Sequence, residues 1–402
     1  MRALRLQTVA ALGLAAFYWA APLQAPAETV LLNFGSTGSL RATSAGDGGE
    51  NPSARLLEDK SGNLYGTAPL GGRSGDPFGT VFELTQNGGS WKETVLYSFD
   101  LRSGGFPVSG VIRGKNGLLY GAAELACGLV YQLAQTNGRW VETTLHTFEG
   151  TDGCGPDSEL VRDSSGNLYG VTAGGGANNA GAVYEISGSK YAVIYNFTGG
   201  TDGDNARGLS MDSSGALFGT TAFGGDNDDG TVFQLVQNGG TWSESVLHSF
   251  GGGGDGFGGP EGAPVEDSVG NLYGITSYGG QYGAGSVFEL SESGGTWTEQ
   301  TLYSFTGGVD GNRPVGGLTL ASGILYGATF SGGSAGGGTV FKLTQSGGAW
   351  IETVVYNFPT SDPQDGSNPA ARPIIDKSGA LLGTTDAGGQ FGEGSAYRIA
   401  HP

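Results

Sequence analysis

Apolar and polar positions alternate with period two in short runs along this chain, and no stretch carries a helical period. The clearest run is Asn63-Leu-Tyr-Gly-Thr-Ala68, which leads through a glycine-rich segment to Phe78-Gly-Thr-Val-Phe-Glu-Leu84. Variants of its Leu-Tyr-Gly core are anchored by Gly66, Gly121, Gly170, Gly219, Gly274, Gly327 and Gly383, spaced 55, 49, 49, 55, 53 and 56 residues apart. A period near fifty signals a repeat architecture. The first full unit, Asn51 to Phe99, holds four strand-like runs at 54–58, 63–68, 80–85 and 93–99. A polar turn, Asp59-Lys-Ser-Gly62, joins the first two, and Gln86-Asn-Gly-Gly89, with its Asn-Gly hairpin signal, joins the last two. The longer loop 71–78 bridges the middle pair. Four short antiparallel strands per repeat make a propeller blade. A β-solenoid, the competing reading, has shorter coils with fewer strands.

The fourth run decides how the repeats close. It recurs as Thr94-Val-Leu-Tyr-Ser-Phe99, Thr143–Phe148, Ala192–Phe197, Ser245–Phe250, Gln300–Phe305 and Thr353–Phe358: six copies against seven glycine anchors. The seventh copy stands at the other end of the chain, as Thr29-Val-Leu-Leu-Asn-Phe34. A ring needs that arrangement and a linear stack does not. The expectation is therefore an all-β, seven-bladed propeller spanning 28–402. Its blades lie at about 47–99, 104–148, 152–197, 202–250, 255–305, 310–358 and 365–400, and strand 28–34 seals the last one three-plus-one. Closure removes exposed strand edges and should bury Val30, Leu32 and Phe34.

Composition modifies this picture in three ways. Eighty glycines in 402 residues follow no Gly-x-y period, so they read as turn residues rather than collagen or disorder. Residues 1–27, with Arg2 and Arg5, the apolar run 9–20 and Ala25-Pro-Ala27, read as a cleaved secretory signal. No other stretch is apolar enough to span a membrane, so the mature chain is expected outside the cytoplasm, extracellular or periplasmic, and monomeric. The formal charge is −19, or −21 once the two leader arginines are removed. That acidity argues against nucleic acid and anionic membranes.

Residues that recur from blade to blade are read as structural. Trp91, Trp140, Trp242, Trp297 and Trp350 each precede the fourth-run phenylalanine by eight positions, and His146 and His248 fill a slot that is tyrosine in other blades. With His401 the only other histidine, histidine-based zinc or triad chemistry is excluded. The aspartates Asp59, Asp163, Asp212, Asp267 and Asp376 sit where Asp fixes a tight turn. A second acidic series, Asp47, Asp152, Asp202, Asp255, Asp310 and Asp365, each followed by glycine, falls in the links between blades. Those links and the loops between strands two and three should emerge on one face. The series is read either as turn-forming Asp-Gly or as a broken ring of calcium ligands, joined by Asp226 and Asp228. The same face should carry Phe78, Phe223, Tyr278, Tyr282, Phe330 and Phe391, either as sugar-stacking rings or as pins for glycine-rich loops. Glu124, in the irregular second-blade loop, is the one candidate for catalysis. Topology puts Cys127 and Cys154 in neighbouring loops of that face, and a secreted protein would join them in a disulfide.

The pattern Leu217-Phe-Gly-Thr-Thr-Ala-Phe-Gly-Gly225 with Gly230-Thr-Val-Phe-Gln-Leu235 resembles the GloVer tandem repeat of secreted bacterial "choice-of-anchor" proteins, and seven copies carry the likeness over the whole mature chain. The resemblance implies location and repeat type, with no activity to carry onto particular residues. Two functions remain. One is a secreted scaffold that binds an extracellular glycan or protein, with or without calcium. The other is an enzyme using carboxylates of the acidic face, as a polysaccharide lyase or hydrolase or a calcium-dependent lactonase.

Overall fold

The computed structural model describes residues 28–35, 48–73, 77–251, 259–360, 362, 364–400 and 402. The leader expected at 1–27, Asp47 and Asp255 lie outside these residues. Seven antiparallel sheets succeed one another along the chain, forming a seven-bladed propeller. Blade 1 contains Leu57–Glu58, Leu64–Ala68, Thr80–Asn87 and Ser90–Ser98, in that order from the axis outward. Gly88 and Gly89 both have positive φ, 60° and 90°, as the two-residue turn between its outer strands requires. The inner strand is shorter than the sequence suggests, two residues instead of five, because only Leu57 and Glu58 pair with strand two. Blade 1 also carries a small extra pair, Gly49–Glu50 with Leu70–Gly71.

In blade 7 the inner strands Gly366–Pro369 and Ile374–Ile375 precede Leu381–Gly388 and Ser395–Ile399, and the N-terminal strand Glu28–Asn33 pairs antiparallel with the last. The ring is sealed three-plus-one. A bulge between Val30 and Leu32 alters which side chains enter the core. Leu31 and Phe34 are buried, while Val30 and Leu32 are only half-buried. The bulge adds one residue to the strand and turns the alternation over at that point. Six other blades carry the same irregularity between strands three and four, as between Val81 and Phe82, so the closing strand copies the repeat in this detail too.

Two packing devices explain the anchoring motif. Each anchoring glycine pairs with an aromatic residue of strand three, as Gly66 with Phe82 and Gly121 with Tyr131. A Cβ at any of the seven would fall inside 3 Å of that ring or its hydroxyl, so only glycine fits. The same rings meet the fourth-strand phenylalanine of the preceding blade. Phe99–Tyr131, Phe148–Tyr184, Phe197–Phe233, Phe250–Phe288, Phe305–Phe341 and Phe358–Tyr397 lie 5.0–5.2 Å apart, and Phe34–Phe82 completes the circle at 4.9 Å. These contacts are within the range where edge and tilted aromatic pairs stabilise beyond their burial. The tryptophans fill the outer part of the same interfaces: Trp242 lies 5.9 Å from Tyr169 of the preceding blade, and Trp350 lies 6.0 Å from Tyr273.

Candidate functional site

All seven blades contribute to one cavity of about 190 Å3 on the propeller axis. Eleven residues before each anchoring glycine, as Arg55 is before Gly66, stand Arg55, Gly110, Glu159, Gly208, Ala263, Gly316 and Arg372. All seven line the cavity. Four are small, and the remaining three meet across the axis. Arg55 Nη1 lies 3.3 Å and Arg372 Nη2 3.4 Å from the same Glu159 oxygen, Oε2, while Arg372 Nη1 donates to the Leu318 carbonyl at 3.0 Å. The glycines are set by close approach at the axis: a Cβ on Gly110 would stand 2.9 Å from Glu159 Oε1, and one on Gly208 or Gly316 would stand 2.2 or 2.6 Å from the backbone nitrogen of Ala263 or Arg372. The channel therefore has a charged waist.

Toward the loop face, the ionisable residues lining the cavity above the waist are Asp157, Arg207 and Glu261, of blades 3 to 5, with Glu124 of blade 2 beside them. Asp157 pairs with Arg207 at 3.1 Å. The Ser277 hydroxyl donates to Glu261 and also lies 3.0 Å from the Pro314 carbonyl. Burial pushes Asp157 up to about 6; Arg207 opposes the rise, and the nearby charges of Glu124 and Glu261 add to it. Burial likewise raises Glu124, again against Arg207. Asp157 Oδ1 and the Ser158 hydroxyl are buried without a hydrogen-bond partner among the described residues. The arrangement offers unspent acceptors and a carboxyl that titrates at about 6, above the ordinary aspartate range. Glu124 was singled out in the sequence; Asp157, Arg207, Glu261 and Ser277 were not. Their signal was available, because aligning the blades on their glycines shows charges in the inner strand where sister blades have Ala, Gly, Pro, Ser or Val.

The repeating acids sit apart from this site and are held by the tyrosine or histidine that ends the preceding blade. Asp202 accepts from Tyr195 Oη at 2.8 Å and Thr198 N at 2.9 Å, and Asp310 from Tyr303 Oη at 2.9 Å and Thr306 N at 2.8 Å. Asp365 accepts from Tyr356 Oη at 2.6 Å. His146 takes the tyrosine's part in blade 2, 2.7 Å from Asp152, and stacks on Tyr191 at 3.5 Å. In the Asp226–Asp228 loop, Asp228 Oδ1 accepts from Gly224 N at 3.0 Å, and Asp226 N donates to Ser249 Oγ at 2.6 Å. Among the described residues no group of three His, Cys, Asp or Glu side chains converges as a metal site would require.

The aromatic candidates do not form one platform. Arg313 lies over the rings of Phe330 and Tyr278, at 5.0 and 5.8 Å, and Phe78 packs edge-on against Phe106 at 5.7 Å. Phe223 and Tyr282 are 48% and 57% exposed, and Phe391 is half-buried beside Gly35. Arg313 and Phe106 occupy left-handed backbone positions, φ 59° for both, where blades 1, 4 and 7 place Asn51, Asn205 and Asn368. Such a conformation is unusual for a bulky residue, and both stand at the loop-face rim of the channel. Cys127 and Cys154 form a disulfide with Cα atoms 4.3 Å apart, tying the blade-2 loop that carries Glu124 to the strand entry that carries Asp157.

No curated protein matches the chain. Among solved structures it is similar to a candidate 6-phosphogluconolactonase from Bacteroides uniformis, with TM-score 0.54 and 18% identity over 77% of this chain and 85% of that one. A candidate 6-phosphogluconolactonase from Bacteroides fragilis gives TM-score 0.52 and 17% identity, covering 80% and 86%. The extracellular domain of a candidate one-component system from B. thetaiotaomicron gives 0.54 and 13%, covering 89% of this chain and 40% of that one. At these identities the likeness is one of fold. The Gloeobacter/Verrucomicrobia repeat model matches residues 124–321 and 259–402. Together with the seven glycine-anchored blades, that match makes this chain a member of the Gloeobacter/Verrucomicrobia repeat family.

Proposed function

We propose that this chain is an extracellular binding propeller that holds a small polyhydroxylated ligand, such as a sugar residue of a glycan, at the loop-face end of its axial cavity. The observation that carries this reading is the asymmetry of the cavity. Every blade supplies wall, but the acceptors Asp157, Glu261 and Glu124, with the donor Arg207, come from one side. Ligand sites are single constellations of this kind, with a few polar groups that fix orientation. The exposed rings of Phe223, Tyr278 and Tyr282 on the same face would extend the contact to neighbouring sugar units. Secretion follows from the expected leader and fits the disulfide, which persists in oxidising compartments. Intact mass of the secreted protein should show loss of residues 1–27.

A glycan array with purified protein tests the reading. Binding should fall with Asp157→Asn and with Glu261→Gln, while Asp226→Asn on the exposed loop should leave it unchanged. Loss of signal on chelation would bring the calcium reading forward; binding that ignores both site substitutions would sink the proposal. One observation favours the enzymatic alternative. A carboxyl pushed up to about 6, beside a second raised carboxyl, has the acid–base character that hydrolysis or lactone opening needs. Product release from the array ligand, abolished by Asp157→Asn, would move the assignment from binding to turnover.

A further inference from the structure

On the opposite end of the axis, below the charged waist, lies a second cavity of about 560 Å3 with a different character. Four of its nineteen lining residues are arginine: Arg55, Arg113, Arg162 and Arg372, contributed by blades 1, 2, 3 and 7. Lys and Arg together number only 19 in the 402-residue chain, which is strongly acidic. Collecting four of them at one mouth is the reverse of what the composition leads one to expect. The remaining wall is largely apolar, including Leu160, Met211, Phe218 and Leu320.

The arginines are unevenly engaged. Arg372 and Arg55 both lean on Glu159, and Arg113 lies 3.7 Å from Asp59 and over the Tyr65 ring. Arg162 has no ion-pair or hydrogen-bond partner among the described residues, and its Nε is buried and unsatisfied, as is the Nε of Arg55. Three acids share the cavity, and Glu159 is already taken by Arg55 and Arg372. Asp212 already accepts from Ser214 and Ala216 in its own turn, and neither Asp212 nor Glu266 forms an ion pair with Arg162 among the described residues. Buried guanidinium donors left without acceptors are costly. An oxyanion would satisfy them, because the planar fork matches carboxylate and phosphate.

We propose that this hairpin-face cavity is an anion site, taking the carboxylate or phosphate of a small organic acid whose body rests on the apolar wall. The ligand enters from the face opposite the proposed sugar site, and the Arg55–Glu159–Arg372 waist forms the floor of its pocket. The two cavities share the waist residues, but Arg162 lines only the lower one and Asp157 only the upper one, so each can be tested alone.

Titration calorimetry on the full mature protein, with inorganic phosphate, glucuronate and glucose as probes, tests the site. Glucuronate or phosphate should bind, weakening as salt rises, and any heat from glucose should be the same in wild type and in Arg162→Gln. Arg162→Gln, which breaks no ion pair or side-chain hydrogen bond among the described residues, should weaken the anion by about tenfold or more, as expected for a hydrogen bond to a charged group. Asp157→Asn should not alter it. Anion affinity unchanged by Arg162→Gln, or no anion binding at low salt, would overturn the proposal. A melting curve of Arg162→Gln superimposable on wild type confirms that any loss is local.

Discussion

The rim of this propeller and its axis obey opposite rules. At the rim, between neighbouring blades, glycine under an aromatic ring and phenylalanine against the next blade's ring return seven times, and a tyrosine or histidine bonded to an aspartate returns four times among the described residues. At the axis the repeat breaks down. One aligned position holds Arg, Gly, Glu, Gly, Ala, Gly and Arg in succession. Repetition at the rim is what makes identical interfaces stack into a ring. Variation at the axis gives one molecule a front and a back, with acceptors above the waist and arginines below it. In this protein, the charged residues of the axis stand where sister blades disagree.

The strongest blow to the rim is to open it. Deleting Glu28–Phe34 removes the buried Leu31 and Phe34, worth roughly 1.5–3 kcal/mol each, and bares the edge of Ser395–Ile399. The expected outcome is aggregation, or a melting temperature far below that of the full chain. Unchanged thermal unfolding would mean that ring closure contributes nothing.

A substitution at the axis should cost less, yet more than any single polar change on the rim. Glu159→Gln leaves Arg55 and Arg372 facing each other without a counter-charge. Losing one partner of a buried ion pair costs about 3–5 kcal/mol. With the Glu159 side chain 26% exposed, roughly 2–3 kcal/mol is expected after solvent screening. Asp226→Asn on an exposed loop should stay within about 0.5 kcal/mol. Chemical denaturation of the two variants side by side measures the difference. Equal stabilities would show that the waist is as dispensable as the surface.

The fold was legible because a ring of repeats writes its geometry in a period. Seven anchors, six outer strands at the C-terminal side and one at the N-terminus allow one closed arrangement. Cys127 and Cys154 were legible for the same reason, since topology alone brings their loops together. The axial residues were not. Arg55 and Arg372 reach Glu159 from positions 104 and 213 residues away, and period and hydropathy carry no record of which inner-strand side chains point across a shared axis. The recurrent acids drew attention instead, because Asp-Gly is conspicuous in a sequence whether it holds a turn or an ion. Even the closing strand hid a detail: its bulge, invisible in the alternation, buries Leu31 in place of its neighbours.

The subtlest test of rim against axis is pH. Glutamates of the outer strands sit between blades: burial pushes Glu93, Glu244 and Glu352 up to about 7 and Glu28 up to about 8, with Asp202, Asp310 and Asp365 adding to the rise at the last three. In the unfolded chain these groups titrate near 4.5. Between that value and about 7 the native protein therefore holds protons that the unfolded chain releases, and stability must fall as pH rises through this window. Asp59, Asp267, Asp310 and Asp376 are held below the usual aspartate range, mainly by hydrogen bonds that outweigh burial, and they withdraw stability only as pH drops below about 4. Melting temperature should accordingly be highest near about pH 4–5 and decline by several degrees toward pH 8. Glu352→Gln, which fixes the neutral form, should raise it at pH 8 and leave it unaltered at pH 5. Asp157→Asn makes the contrast, because that carboxyl belongs to one site rather than to a repeated interface. It should shift the pH dependence of ligand binding around 6 while the pH slope of melting keeps most of its steepness. A slope abolished by Asp157→Asn alone would place the pH response at the axis instead.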